Sequence, residues 1–318
     1  MAMSGFPCAS VLLGGLALLV AACGGEGDGS SHERWDAQGV AESQEDTEFI
    51  PIILNSPLGV GPNRVVVALT DEGALLAGAD VSAHLYRLSD DPEERPEAAS
   101  AEGEMVLSAR SLEGTGASES VGSLPTVYVA TIEFDASGWW GLSLDVDHDD
   151  ERSEGVLVRF WVREETSEPG IGEPAPRSVQ QTLRDVDDIT EIDSTRPPNP
   201  EFHELTIAEA LDTGKPVVVA FVTPAFCQTR FCGPVMESVI LPIAERYGDR
   251  IEVVHVEPID LPNARVGRLE PVPTVQEWGL LQEPFVFVVA PDGTIAAKFE
   301  GIMEAEEVAD ALDALLGE

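Results

Sequence analysis

Two cysteines five positions apart, Cys227 and Cys232 in "FVTPAFCQTRFCGPV" (221–235), are the residues of this 318-residue chain whose type and spacing point most directly to chemistry. Paired thiols exchange with disulfides, brace a fold, or bind a soft metal ion. On a regular helix, residues five apart are displaced by about 7.5 Å along the axis and point about 140° apart. That exceeds the roughly 7 Å between Cα atoms that a disulfide tolerates, so bonding requires a non-helical turn between the sulfurs. Pro234 suits the first helical position and Gly233 the cap, which sets Cys232 at a helix N-terminus and Cys227 in the loop before it. Exposed N–H groups at that end stabilise a thiolate, and Arg230 would add positive charge. Cys227, as a loop residue after a strand, is read as the attacking sulfur and Cys232 as the resolving one; the helix-dipole argument favours the reverse. Phe226 and Phe231 flank the pair and are read as an apolar rim for a substrate.

The rest of the composition narrows the setting. Eighteen Lys and Arg against 58 Asp and Glu give a formal charge of −40, which repels nucleic acid and anionic lipid headgroups. Salt adaptation or colloidal solubility accounts for such a surface. Residues 1–22 carry no charged side chain, and the apolar run Val11–Val20 is shorter than the roughly 20 residues of a bilayer span. The stretch "LVAAC" ending at Cys23 resembles the bacterial lipobox. That resemblance implies a lipoprotein signal peptide over 1–22 and lipidation of Cys23, hence a lipid bilayer as a partner through the N-terminal anchor; a plain signal peptide is the alternative. On the same reading Cys8 leaves with the signal, and the mature chain keeps Cys227 and Cys232 as its thiols in a compartment where disulfides persist.

The elements that must position these sulfurs emerge from patterning. Residues 23–47 are mostly Gly, Ser, Glu, Asp and Gln with one Trp, too polar to build a core, and read as a disordered tether. From 48 to 165 short period-two stretches such as "RVVVAL", "TVYVATIEF", "WWGLSLDV" and "VLVRFWV" alternate with Gly, Pro and Asp turns, the pattern of an antiparallel β-sandwich. Trp140, Leu142, Leu144 and Val146 fall on one face, as do Val156, Val158, Phe160 and Val162. "DVDHDDERSE" (145–154) lacks the Gly and bidentate Glu of a calcium loop and reads as a solvated hairpin tip. Residues 166–202, dense in Pro and Gly at both ends, read as an interdomain linker. After it come a capped helix in "LTIAEALDTG", a buried strand "PVVVAFV", the cysteine loop, a helix kinked ahead of Pro242, a strand "IEVVHVE", a long loop, a short helix "TVQEWGL", a strand pair joined at "PDG" and a terminal helix. Such an order calls for a sheet with helices on both faces.

Residues 203–318 resemble a thioredoxin-like, or redoxin, domain: a strand runs into the cysteine loop, "CGP" opens the following helix, Pro284 precedes strand "FVFVV", and "PDG" leads to "FEG". The region from 48 to 165 looks immunoglobulin-like, so the whole is a multidomain chain, an all-β immunoglobulin-like sandwich followed by an α/β thioredoxin-like domain. The resemblance implies a cis Pro284 lying against the sulfurs. It departs at Val235, which stands where thioredoxins have their second cysteine, the partner sulfur lying upstream at Cys227. The activity it implies is that of a membrane-anchored extracytoplasmic thiol–disulfide oxidoreductase acting on protein thiols or disulfides and served by an electron donor, with no cofactor, no metal and no nucleic acid. The alternative is a noncatalytic surface module that keeps the redox fold as scaffold. Two further rivals are a peroxiredoxin-like peroxidase, for which Pro224 and Ala220 are the wrong residues, and copper handling by the two thiolates with His255 or His203. His255 or Glu257 would serve proton transfer if their strand end points at the sulfurs. Trp278 reads as core.

Overall fold

The computed structural model describes residues 49–55, 57–88, 97–98, 104–111, 126–149 and 151–317. The expected signal peptide over 1–22, the lipidation site Cys23 and the tether over 23–47 lie outside them.

The first described half is β-structure: β1 (Phe49–Ile53), β2 (Leu58–Gly59), β3 (Gly61–Asp71), β4 (Ala74–Leu75), β5 (Asp80–Arg87), β6 (Glu97–Ala98), β7 (Met105–Ser111), β8 (Thr126–Phe134), β9 (Gly138–His148) and β10 (Glu151–Arg163). Pairing runs β1-β3-β8-β7-β5-β9-β10-β2, with β4 attached to β3 and β6 to β5. Period-two alternation decides what each strand buries. Val65, Val67 and Leu69 of β3 face Trp140, Leu142, Leu144 and Val146 of β9 in one apolar cluster. Val156, Phe160 and Val162 join that cluster, with Val158 at its margin. A sandwich has two separate sheets, whereas this ladder is continuous. Met105–Leu107 pair with β5 and Ser108–Ser111 with β8, so β7 turns the corner and the sheet curls over its own core. The acidic hairpin closes with His148 opposite Glu151, and Asp149 adopts a left-handed turn conformation at φ 53°.

The second half holds β11 (Val217–Phe221), β12 (Glu252–Val256), β13 (Phe285–Val289) and β14 (Ile295–Glu300), ordered β12-β11-β13-β14, with β11 and β12 parallel and the other pairs antiparallel. Its helices are α1 (Ile207–Leu211), α2 (Cys232–Val235), α3 (Leu241–Tyr247), α4 (Leu261–Ala264), α5 (Pro273–Glu277) and α6 (Ala305–Leu316). "VVVAF" and "FVFVV" are buried at every position because both faces of the sheet are covered. Val218, Ala220, Val286 and Val288 meet Val239, Ile243, Val308 and Leu312 on one side. Val219, Phe221, Phe285 and Phe287 meet Ile207, Leu211 and Trp278 on the other. Trp278 is fully buried between Phe221 and Phe287, and its indole N–H donates to Ser178 Oγ at 3.2 Å. Between α2 and α3 the helix widens into a π turn over Met236–Ile240, directly ahead of Pro242, which has no N–H to continue the α-helical ladder.

Residues 166–202 are a packed layer rather than a free linker. Gly172 N–H donates to the Ile295 carbonyl at 2.8 Å, and Pro174 bridges Thr294. Glu168 takes the ammonium of Lys298 at 2.8 Å, with both side chains largely buried. Gly279, at φ +63°, lies so close to this layer that a Cβ there would sit 1.9 Å from the Ser167 carbonyl oxygen. Pro and Gly density therefore marks irregular backbone here, and irregular backbone packs well when its polar groups find partners.

The two halves also share a core. Val66, Val127 and Val129, on the outer face of the curled sheet, join the cluster of Phe299, Ile302, Val308 and Leu312. Arg64 clamps Glu307 of α6 with Nε to Oε1 at 2.8 Å and an Nη to Oε2 at 2.9 Å, and donates to the Ile302 carbonyl. Charge and apolar contact thus coincide on one seam.

Candidate functional site

Strand β11 delivers the chain to the cysteine loop at the edge of the core. Backbone helicity begins at Cys232, with Phe231 at the cap position, so the helix starts two residues earlier than a Gly233 cap would place it. The non-helical turn that five-residue spacing demands is at Arg230, whose φ of 69° is left-handed. That turn folds the loop back: the Cys232 N–H donates to Cys227 Sγ at 3.2 Å, and the two sulfurs and a Glu283 carboxylate oxygen all lie within 4.8 Å of one another. Both cysteines are free thiols, Cys227 half-buried and Cys232 fully buried.

The environments separate the two sulfurs electronically. The Cys232 thiol hydrogen bond, aided by the Thr229 hydroxyl and the Cys232 and Thr229 backbone and opposed by burial, holds Cys227 well below an ordinary thiol, at about 6. Burial foremost, then the neighbouring Cys227 and the Glu283 carboxylate, push Cys232 strongly up. The single hydroxyl proton of Thr229 has two acceptors within reach, Cys227 Sγ at 3.2 Å and the Glu283 carbonyl at 3.3 Å. Charge on the sulfur draws that proton to it.

Arg230 contributes backbone conformation rather than a charged hydrogen bond. Its side chain is exposed, and hydrogen bonds lead the causes that lower Cys227. Phe226 and Phe231 are half-buried, and Phe231 packs on the core beside Cys227, so neither forms a fully open rim. The exposed apolar side chain of this neighbourhood is Leu281, two residues before Glu283. The Glu283–Pro284 peptide is cis, and Glu283 ties the cysteine loop to β13 by accepting from the Gln228 N–H at 3.2 Å. Glu283 and Thr229 escape a reading of the sequence because nothing local singles them out; adjacency to Pro284 is the signal that finds Glu283.

His255 and Glu257 belong to a second, buried cluster at the end of β11. His255 Nε2 meets the Val222 carbonyl at 3.0 Å, and its ring lies 4.9 Å from that of His203. Asp193 reaches both imidazoles, with Oδ2 3.3 Å from His203 Nε2 and Oδ1 3.9 Å from His255 Nδ1. Burial pushes the Asp193 carboxyl up, but His203, His255, Thr195 and Asn199 together take it well below the usual carboxylate range. Burial lowers His203 and raises Glu257. The Glu257 carboxylate accepts from the Ser194 N–H at 2.7 Å. His255 is therefore grouped with His203 and Asp193, and the carboxylate grouped with the two sulfurs is that of Glu283, which removes the basis for a copper site built from the thiolates and His255.

No protein-family model matches the chain, and no curated protein is significantly similar to it in sequence.

Proposed function

We propose that the chain is an exported, lipid-anchored thiol–disulfide oxidoreductase whose C-terminal region is a thioredoxin-like domain, acting through Cys227 and Cys232 on thiols or disulfides of extracytoplasmic proteins. One observation carries this reading: a half-buried sulfur that accepts the Cys232 N–H at 3.2 Å and lies 3.2 Å from the Thr229 hydroxyl, contacts that favour its thiolate, stands beside a fully buried one at the same turn. A structural staple has no need of such asymmetry. The sheet order β12-β11-β13-β14, with the sulfurs after the central β11, supports the domain assignment.

In reduction, the Cys227 thiolate attacks one sulfur of a substrate disulfide, whose S–S bond breaks and whose other sulfur leaves as a thiolate that takes up a proton. A mixed disulfide joins Cys227 to the substrate. Cys232 then gives its proton to the Glu283 carboxylate and attacks Cys227 Sγ. The second substrate sulfur departs, taking a proton, and the protein is left with a Cys227–Cys232 disulfide. The substrate has gained two electrons and the protein has lost two; an external dithiol restores the reduced pair. Run backwards, the same steps oxidise a dithiol.

The test is reduction of a peptide disulfide by the full chain under a dithiol donor. Loss of turnover in Cys227→Ser, with a trapped mixed disulfide visible by mass spectrometry in Cys232→Ser, is expected. Equal rates in wild type and both variants would leave a noncatalytic scaffold as the better account.

A further inference from the structure

The buried cluster away from the sulfurs has three unfilled valences that converge. His255 Nε2 faces the Val222 carbonyl, so in the neutral ring it carries the proton and Nδ1 carries a lone pair. That Nδ1 has no hydrogen-bond partner, and His255 is 1% exposed. His203 is 2% exposed and its Nε2, 3.3 Å from Asp193 Oδ2, makes no well-formed hydrogen bond either. Asp193 accepts from Thr195 N–H at 2.7 Å and Thr195 Oγ at 2.6 Å on Oδ1, and from Asn199 N–H at 2.7 Å on Oδ2. A carboxylate offers about four acceptor directions, so one remains, on Oδ2. One possible ligand atom from each of the three residues lies within 4.8 Å of the other two.

A proton between His203 and Asp193 would satisfy this arrangement only in part, because His255 Nδ1 would still be unpaired. At 3.9 Å the His255–Asp193 pair is too long for an N–H···O hydrogen bond, which spans about 2.7–3.2 Å. An ion bound at about 2.0–2.1 Å from each ligand suits it better, because tetrahedral geometry then separates the ligand atoms by about 3.3 Å. The His203 Nε2–Asp193 Oδ2 pair stands at that separation, and His255 Nδ1 lies 3.9 Å from the other carboxylate oxygen, Oδ1. Two imidazoles and one carboxylate are borderline ligands, suited to zinc and its first-row neighbours rather than to calcium or magnesium. The outer partners are in place as well: Val222 orients His255, while Thr195 and Asn199 hold Asp193. Access is provided by a cavity of about 440 Å³ that both histidines line, rimmed by Glu191, Glu257, Asp260 and Glu270, whose charge draws cations.

We infer that Asp193, His203 and His255 form a binding site for a divalent transition-metal ion of the zinc type, with its fourth coordination position facing this cavity and independent of the two cysteines. The experiment loads the full chain, stripped with chelator, with Zn²⁺ and separately with Co²⁺. One equivalent of metal should bind, and the cobalt form should show the visible bands of low-coordinate nitrogen and oxygen ligation without a thiolate-to-cobalt charge-transfer band. A Cys227→Ser/Cys232→Ser double variant should bind equally well. His203→Gln and Asp193→Asn should each weaken Zn²⁺ binding by about a hundredfold or more, beyond the cost of losing an outer partner. Absence of stoichiometric binding overturns the proposal. So does a thiolate charge-transfer band that vanishes in the cysteine double variant, which would put the metal on Cys227, Cys232 and Glu283. If a ligand variant fails to fold, the wild-type cobalt spectrum decides between these outcomes by itself.

Discussion

The backbone N–H of Cys232 points at the sulfur of Cys227 from 3.2 Å, so the residue proposed to resolve a mixed disulfide also helps to ionise the residue proposed to form it. Left-handed Arg230 makes this possible by folding the loop onto the start of the helix. The consequence is a thiolate poised near neutral pH. Alkylation of reduced protein by iodoacetamide should modify Cys227 with an inflection at about 6, while buried Cys232 stays unmodified until the protein unfolds. Thr229→Val should move the inflection upward. Stability should track the same titration. Cys227 is depressed in the folded state, so between about pH 6 and the unfolded thiol value of about 8.5 the unfolded chain binds more protons, and stability rises with pH. The Tm difference between reduced wild type and Cys227→Ser should therefore grow across that window and vanish below it; a flat difference would contradict the thiolate assignment.

Glu283 stands with both sulfurs and is assigned the proton of Cys232. Glu283→Gln should leave the first attack near its wild-type rate and slow release of the mixed disulfide by on the order of 10² at neutral pH, the low end of general-base effects. Stopped-flow quenching with mass spectrometry separates the two steps. Equal slowing of both would instead mark Glu283 as a holder of the cysteine loop through Gln228.

A fragment beginning at residue 203 should be far less stable than the full chain. It loses Asp193 from between two buried histidines, Glu168 from Lys298 and Ser178 from Trp278, and it uncovers the apolar seam that Val66, Val127 and Val129 close. Tm and dye binding to exposed apolar surface would report it. A fragment that melts with the full chain would show that the packed layer over 166–202 adds nothing.

The seam itself makes a charge-pair prediction. Arg64 and Glu307 have side chains only 10% and 12% exposed. Arg64→Met should destabilise by about 1–3 kcal/mol in denaturant unfolding, because it leaves the buried Glu307 carboxylate with only Arg110 at 3.6 Å and the Glu304 N–H at 3.0 Å, whereas Arg64→Met/Glu307→Met should recover part of that loss. Equal losses in the single and double variants would mean that packing, not charge, holds the seam.

Gly279→Ala tests the close approach to Ser167. A left-handed conformation costs a non-glycine residue about 1–2 kcal/mol, and the overlap with the carbonyl adds to it. Thermal unfolding measures the sum, and a neutral result would place the layer further from α5 than it stands here.

Much was settled before folding. The apolar stretches "RVVVAL" and "WWGLSLDV" and the unbroken apolar runs "VVVAF" and "FVFVV" reveal strands, and the structure covers nearly all of their positions on both faces, where a strand needs no polar residues. Thr206 and Glu209 announce their capping box in the same local way. The five-residue spacing of Cys227 and Cys232 required a break in helicity, a matter of bond geometry, though it did not say that Arg230 would make it. Other features arise from residues far apart in the chain and exist only once it has folded. Asp193, His203 and His255 meet through three separate segments, Glu283 arrives at the sulfurs on a different loop, and the Pro- and Gly-rich stretch from 166 to 202 finds partners beside α5 and in β14. Local pattern reports how a segment satisfies its own backbone and its own apolar face. Which segments then share a buried charge depends on packing across the whole chain, and no window of sequence contains that.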